Sequence, residues 1–201
     1  VGRRIRRRMD LLGVARSEDY LALLRAEPTE VEELYRELMI GVSGFFRDPE
    51  AFAVLREKVI EPLVQGQADG QPLRVWVPGC TTGEEAYSIA MLLLETFDDG
   101  GRAAHLQVFA TDIDESALEQ ARQGIYTEAA LRDLSAGRRE RFFTSLGGAR
   151  RQVAKPLREA VVFATQNLLA DPPFSRVDLI SCRNVLIYLK PQAQEQLIAR
   201  F

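Results

Sequence analysis

Arg74-Val75-Trp76-Val77-Pro78-Gly79-Cys80-Thr81-Thr82-Gly83-Glu84-Glu85-Ala86-Tyr87-Ser88-Ile89-Ala90 is the stretch from which the rest of the chain is ordered. Arg74–Val77 is a short apolar run that reads as a strand. Two glycines four apart follow, and then a helical period runs from Glu84 to Phe97 with Ala86, Ile89, Ala90 and Leu93 on one face. Downstream the rhythm repeats. Leu106–Ala110, Ala160–Ala164 and Val177–Cys182 are three more strands. Asp114 caps a helix carrying Ala117, Leu118 and Ala121 that ends at Gly124, and Pro191 opens a last helix to Phe201. This alternation predicts an α/β fold, a doubly wound, mostly parallel sheet covered on both faces. Its ligand should lie beyond the carboxyl ends of the strands.

Upstream the chain reads helical. Arg3–Leu12 is a short helix, and Ser17 is placed to cap a second one with Tyr20, Leu21, Leu23 and Leu24. Thr29 with Glu32 reads as a capping box for a third, with Val31, Leu34, Tyr35 and Leu38 on one face. Asp48-Pro49 is a cap followed by proline at the first helical position, opening a helix that ends near Pro62. The Gly- and Gln-rich residues 65–72 read as a linker, dividing a helical domain over 1–64 from the sheet domain over 73–201. Between Leu131 and Lys155 the alternation breaks. Ser135 starts a basic helix through Phe142, and Gly147-Gly148 turns a hairpin inside a small antiparallel excursion near 143–154.

Composition narrows the chemistry. The 201 residues are 46% hydrophobic and 27% charged, with a net charge of −3, so no global positive charge recruits nucleic acid or membrane. The charge is uneven: residues 1–25 hold seven arginines against Asp10, Glu18 and Asp19. No apolar run is long enough for a transmembrane helix, and no signal peptide is written at Val1, which is not Met and suggests an excised fragment. His105 is the one histidine. Cys80 and Cys182 are far apart in sequence, so no metal-binding spacing and no disulfide framework is present, and a reducing, cytoplasmic setting is expected.

The strand ends carry the informative polar residues. Gly79 and Gly83 let backbone approach a ligand closely. Glu84 and Glu85, at the start of the next helix, would repel a phosphate and suit a ligand with a cationic end, such as S-adenosylmethionine; a tight turn with dipole-friendly acids is the plainer alternative. The second strand ends in Thr111-Asp112-Ile113-Asp114. Asp114 is read as the helix cap and Asp112 as the acid for ribose hydroxyls, the alternative being that both cap. Asn167, after the third strand, offers an amide for an adenine edge. Ser181-Cys182-Arg183-Asn184 ends the fourth, and its arginine requires a carboxylate or solvent. Asp171-Pro172-Pro173-Phe174 looks like the box of nucleic-acid amino-methyltransferases, but it precedes the fourth strand where that box follows it.

Four blocks in order then resemble one family: Phe45-Phe46-Arg47-Asp48, Gly83-Glu84-Glu85-Ala86-Tyr87-Ser88-Ile89-Ala90-Met91, Ala110-Thr111-Asp112-Ile113-Asp114, and Cys182-Arg183-Asn184-Val185-Leu186-Ile187-Tyr188. They are similar to the CheR-type chemotaxis receptor glutamate O-methyltransferases. Val75-Trp76-Val77-Pro78-Gly79-Cys80 looks most like the CheR modules of multidomain signalling proteins. The resemblance implies a Rossmann-like class I methyltransferase fold behind a small all-helical domain, lacking the family's closing strands. It implies S-adenosyl-L-methionine as cofactor, with Ser43, Arg47, Glu85, Asp112, Asn167, Leu168, Cys182 and Arg183 around it beside the Gly79 turn. Arg47, Arg183 and Tyr188 are the implied catalytic residues, Tyr188 matching a tyrosine near the transferred methyl. Where the family often has Asn-x-Thr, this chain has Gly41-Val42-Ser43. Arg3, Arg4, Arg6, Arg7 and Arg8 match the helix that docks receptor methylation helices; a solvated basic face is the plainer reading. A receptor glutamate, with a pKa of about 4.3, is already ionised at neutral pH and needs no general base. An inactive module that binds only cofactor or receptor is the alternative, and a nucleic-acid methyltransferase a lesser one.

Overall fold

The computed structural model describes residues 2–39, 43–68 and 70–201; Gly41 and Val42 and the side chains of Arg3, Tyr35 and Leu38 lie outside that description. The chain divides into two compact units, Val1–Val42 and Ser43–Phe201.

The first unit holds three helices, α1 (Gly2–Leu11), α2 (Ser17–Ala26) and α3 (Pro28–Met39). Both α1 and α2 pack on α3. Met9 and Tyr20 are buried, and so is the carboxylate of Glu30. That carboxylate is held three ways. Arg8 donates from Nε (3.1 Å) and Nη2 (2.5 Å), and the Tyr20 hydroxyl donates at 2.7 Å. The Arg8 hydrogen bond holds the Glu30 carboxyl below its ordinary range, and burial pushes the Tyr20 phenol up to about 12. The two expected caps do not form as read. Arg16 flanks α2, so Ser17 is its first helical residue. Pro28 begins α3 and leaves Thr29 inside its first turn, because the fixed φ of proline suits the helix start.

In the second unit, α4 (Pro49–Leu55) runs through a π-helical turn (Arg56–Ile60) into α5 (Glu61–Gly66). The helix thus continues through Pro62, where the sequence predicts its end. Proline lacks the N–H of a regular ladder, and the wider turn before it takes up the mismatch. Then follow β1 (Leu73–Pro78), α6 (Glu84–Asp99), β2 (Leu106–Asp112), α7 (Glu115–Gln123), β3 (Ile125–Thr127), α8 (Ala136–Phe142), β4 (Phe143–Gly147), β5 (Arg150–Val153), α9 (Lys155–Glu159), β6 (Val161–Thr165), β7 (Leu179–Ile180), a 3-10 turn (Leu186–Tyr188) and α10 (Pro191–Ile198). Phe52, Ile60 and Val64 are buried in one core with Leu73, Val75 and Met91. The division between units therefore falls at Val42/Ser43 rather than at the expected 65–72 linker.

The main sheet has the order β6-β2-β1-β7, all parallel. β1 is central and its Val75, Trp76 and Val77 are fully buried, each such side chain contributing about 1.5–3 kcal/mol. In register, Val75 lies beside Val108 on one side and Leu179 on the other. The chain therefore leaves β1 toward β2 and later returns to pair β7 on β1's other edge, which makes the carboxyl ends of β1 and β7 the switch point. Asp114 caps α7 by accepting from Ser116 and Ala117, Ser135 caps α8, and Gly124 ends α7 with φ +61°, all as the sequence predicts. The small antiparallel sheet has a third strand beyond the expected hairpin, in the order β3-β5-β4.

Candidate active site

Three segments meet at the switch point. The first is the β1–α6 turn. Asp112, at the end of β2, accepts the Thr81 N–H at 2.8 Å with one oxygen and the Asp114 N–H at 3.0 Å with the other. Asp112 is therefore no helix cap; it ties the two strand-end turns together. Tyr126 of β3 donates its hydroxyl to the Thr82 carbonyl at 2.6 Å, and Glu84 accepts locally from Thr82. Gly79 and Gly83 are required for a reason other than the one the sequence suggests. A Cβ on Gly79 would lie 2.1 Å from Val185 Cγ2, and one on Gly83 would lie 2.9 Å from Ala121 Cβ. Both glycines let protein segments close on one another. The backbone around them still faces the strand ends.

The second segment follows β7. Ser181 donates to Glu85 Oε1 at 2.8 Å. Arg183 donates to Asp48 Oδ2 at 2.9 Å and reaches the Arg47 carbonyl from both terminal nitrogens at 3.3 Å. Its Nη1 stands 3.8 Å from Glu85 Oε2, and its guanidinium lies 5.0 Å over the Phe52 ring. Burial raises the Glu85 carboxyl above its ordinary value, against the opposing pull of Ser181, Arg183 and Arg47. Burial and Glu85 together raise the Cys182 thiol to about 11, and Cys80 is buried and raised further. Raised thiols of this kind stay protonated at neutral pH and are poor nucleophiles.

The third segment is Ser43–Asp48. Phe46 donates its N–H to Ser88 Oγ at 3.0 Å, and the Arg138 guanidinium stacks on its ring at 3.9 Å. Phe46, Asp48, Thr81 and Asn184 all have positive φ (50°, 62°, 46° and 57°), four of the six non-glycine residues that do so among those described. Such backbone costs about 1–3 kcal/mol per residue and gathers at functional sites. Here it is shared by the three segments that face one another.

The remaining expected residues are placed less tightly. Arg47 and Asn167 are exposed, and Ser43 and Leu168 are half-buried. Asn167 Oδ1 accepts from Leu169 N–H at 3.0 Å, so one of its two lone pairs serves its own turn. Tyr188 is 67% exposed. Among the arginines of α1, Arg8 leaves the expected docking set, because it is committed to buried Glu30. Arg6 and Arg7 are exposed and Arg4 is half-buried, while the Arg3 side chain is outside the description. Ser181, Asp48 and Tyr126 hold these segments together, and the sequence alone does not assign them. Asp48 and Ser181 had a signal, as neighbours of Arg47 and Cys182; Tyr126 had none. The 171–174 box is structural, with Phe174 stacked on Phe109 at 4.8 Å. A cavity of about 590 Å³ lies elsewhere, beside α6 and α8, and its arginines are already paired, Arg138 with Glu95 and Arg56 with Asp99. Among the described residues no group of side chains is arranged to hold a metal ion, and no helix is long and apolar enough to cross a membrane.

These residues fit a nucleoside bearing an amino-acid end. Asp112 has lone pairs left for a diol, and Glu85 is a half-buried carboxylate beside a guanidinium, matching an ammonium beside a carboxylate. Gln166, adjoining the Asp112–Thr165 strand pair, keeps a buried Oε1 with no hydrogen-bond partner, an acceptor suited to a ligand amino group.

Comparison with known proteins covers both units of the chain. Residues 41–201 match the family described as CheR methyltransferase, SAM binding domain, and residues 1–39 match CheR methyltransferase, all-alpha domain. An uncharacterized 104.1 kDa protein from the hypE 3' region of Rhodobacter capsulatus is 48% identical over all of this chain, which spans 21% of it. The putative methyltransferase Cher3 of Pseudomonas putida is 37% identical over 87% of this chain and 64% of its own length. A chemotaxis protein methyltransferase of Klebsiella aerogenes is 37% identical over 98% of this chain and 68% of its own. With residues 1–39 and 41–201 matched in order to its two domains, the chain belongs to the CheR methyltransferase family.

Proposed function

We propose that this chain methylates glutamate side chains of chemoreceptors, using S-adenosylmethionine as donor, and that it acts in the cytoplasm as part of a larger signalling protein. The observation that carries the reading is the pairing of Glu85 with Ser181 and of Arg183 with Asp48 beside Asp112, at the switch point of a CheR-family sheet. The size of the Rhodobacter relative supports the larger protein, and free Cys80 and Cys182 suit a reducing compartment. No feature favours nucleic acid.

When bound, the cofactor supplies an electrophilic methyl group on sulfur. Asp112 would hold the ribose hydroxyls, Glu85 the ammonium, and Arg183 the carboxylate. Gly79, Ser43, Leu168, Asn167 and Cys182 would line the cleft. An ionised glutamate needs no proton removed, so the chain's task is placement, which contributes roughly 7–11 kcal/mol in well-oriented systems. Arg47 and Tyr188, both exposed, would orient the incoming carboxylate. Arg47 must do so loosely, since a tight clamp would lower the nucleophilicity of the oxygen. The exposed arginines of α1 would meet an acidic receptor helix.

The test is transfer of labelled methyl groups from S-adenosylmethionine to a receptor cytoplasmic fragment. Base-labile label on glutamate is expected. Cofactor binding without transfer would make the chain an inactive module and overturn the enzymatic reading.

A further inference from the structure

Asp48 occupies an unusual position. It precedes Pro49 at the start of α4, where an aspartate normally caps the helix, yet its side chain makes no cap hydrogen bond and its φ is +62°. It gives up a cap worth about 1 kcal/mol and takes a conformation that non-glycine residues avoid. What it gains is Arg183, at 2.9 Å across 135 residues of sequence. Ser181 makes the corresponding contact on the other side, donating to Glu85 at 2.8 Å.

Between these two pairs stand Arg183 and Glu85, whose nearest nitrogen and oxygen are 3.8 Å apart. Without other partners, a guanidinium and a half-buried carboxylate at that separation would close into a bidentate pair. Such a pair satisfies itself and has no charge left for a ligand. A zwitterionic ligand end needs the reverse, a cation and an anion side by side and each incompletely satisfied.

We propose that Asp48 and Ser181 are positioning residues that hold Arg183 and Glu85 apart, so that the cleft recognises the zwitterionic end of an amino acid. This rests on the reading of the cleft as the S-adenosylmethionine site. Asp48 fixes Arg183 against the Arg47 carbonyl and the Phe52 ring. Ser181 fixes the Glu85 oxygen farther from Arg183. Neither residue need touch the ligand.

The test compares two ligands by calorimetry on the whole chain. S-Adenosylhomocysteine carries the zwitterionic end, and methylthioadenosine shares the nucleoside and lacks it. Asp48→Ala is expected to weaken adenosylhomocysteine by about tenfold, the factor that about 1.4 kcal/mol represents, and to leave methylthioadenosine within about twofold. Asp48→Asn keeps an oxygen for Arg183 and should restore most of the loss. Ser181→Ala should reproduce the selective loss by a smaller factor, and it leaves the α4 start intact should Asp48→Ala fold poorly. Arg183→Ala separates the proposal from the reading it rests on. If Arg183→Ala loses the preference for adenosylhomocysteine while Asp48→Ala and Ser181→Ala keep it, the cofactor reading stands and the positioning role is overturned. Tighter adenosylhomocysteine binding in Asp48→Ala would show competition for Arg183 and would also overturn it. If the unaltered chain binds neither ligand, both fail.

Discussion

Glu85 carries opposing demands. Burial raises its carboxyl above the ordinary value, while Ser181, Arg183 and Arg47 favour the charged form without offsetting the burial. For an acid whose folded pKa is raised, the folded chain binds the proton more tightly than the unfolded one. The destabilisation is absent below the unfolded value of about 4.5, grows as pH rises toward the folded value, and is fully present above it. Glu85→Gln should therefore melt higher than the unaltered chain at pH 7.5, with the difference shrinking as pH falls toward about 4.5. The same variant should lose affinity for adenosylhomocysteine, the trade expected where a site keeps a costly charge for function. Equal melting at both pH values would remove the claim that Glu85 is ionised against its surroundings. Asp112 behaves differently, because both its oxygens already accept backbone N–H groups. Asp112→Ala should cost about 1.5–3 kcal/mol of cofactor binding by calorimetry, from a charged acceptor removed. Unchanged affinity would mean that Asp112 only ties the two turns together.

At the level of elements, the β1–α6 turn depends on contacts that no ligand makes. Gly79→Ala would place a methyl 2.1 Å from stiff Val185 at φ +69°, an overpacking cost of about 1–3 kcal/mol. Because Val185 follows Arg183 by two residues, the variant should lower both melting temperature and adenosylhomocysteine affinity; a normal melt with normal affinity would show that the segment after β7 moves freely. This turn was legible in the sequence, since strand, paired glycines and amphipathic helix each have their own period. The caps at Asp114 and Ser135 were legible for the same local reason. What stayed hidden was short or nonlocal. β3 and α9 are too brief to show a period. The helix through Pro62 relies on a π-helical turn that composition does not mark. Asp48 looks like a cap until Arg183 is beside it. Tyr126 reaches Thr82 across 44 residues, a contact that no spacing rule shows.

At the scale of the whole molecule, charge is distributed against the net value. The chain sums to −3, yet residues 1–25 hold seven arginines against three acids. A periodic reading treats the arginines of α1 alike; packing divides them. Arg8 anchors Glu30 together with Tyr20, so Arg8→Ala should destabilise the first unit by about 1.5–3 kcal/mol, the scale of a hydrogen bond to a charged group. Arg6 and Arg7 are exposed and contribute to the field that an approaching acidic receptor helix meets. Exposed charges act within the Debye length, about 30 Å at 0.01 M salt and about 8 Å at 0.15 M, so they raise the encounter rate more than they hold the complex. Arg6→Ala with Arg7→Ala should therefore raise the KM for receptor at low salt and flatten its salt dependence. The turnover number and adenosylhomocysteine affinity should stay unchanged. Arg8→Ala should instead lower the melting temperature, which separates docking from folding within one helix. Methylation rates measured across salt concentrations decide the matter: a double variant with the unaltered chain's KM and salt slope would leave the arginines of α1 as a solvated face and place receptor recognition elsewhere on the molecule.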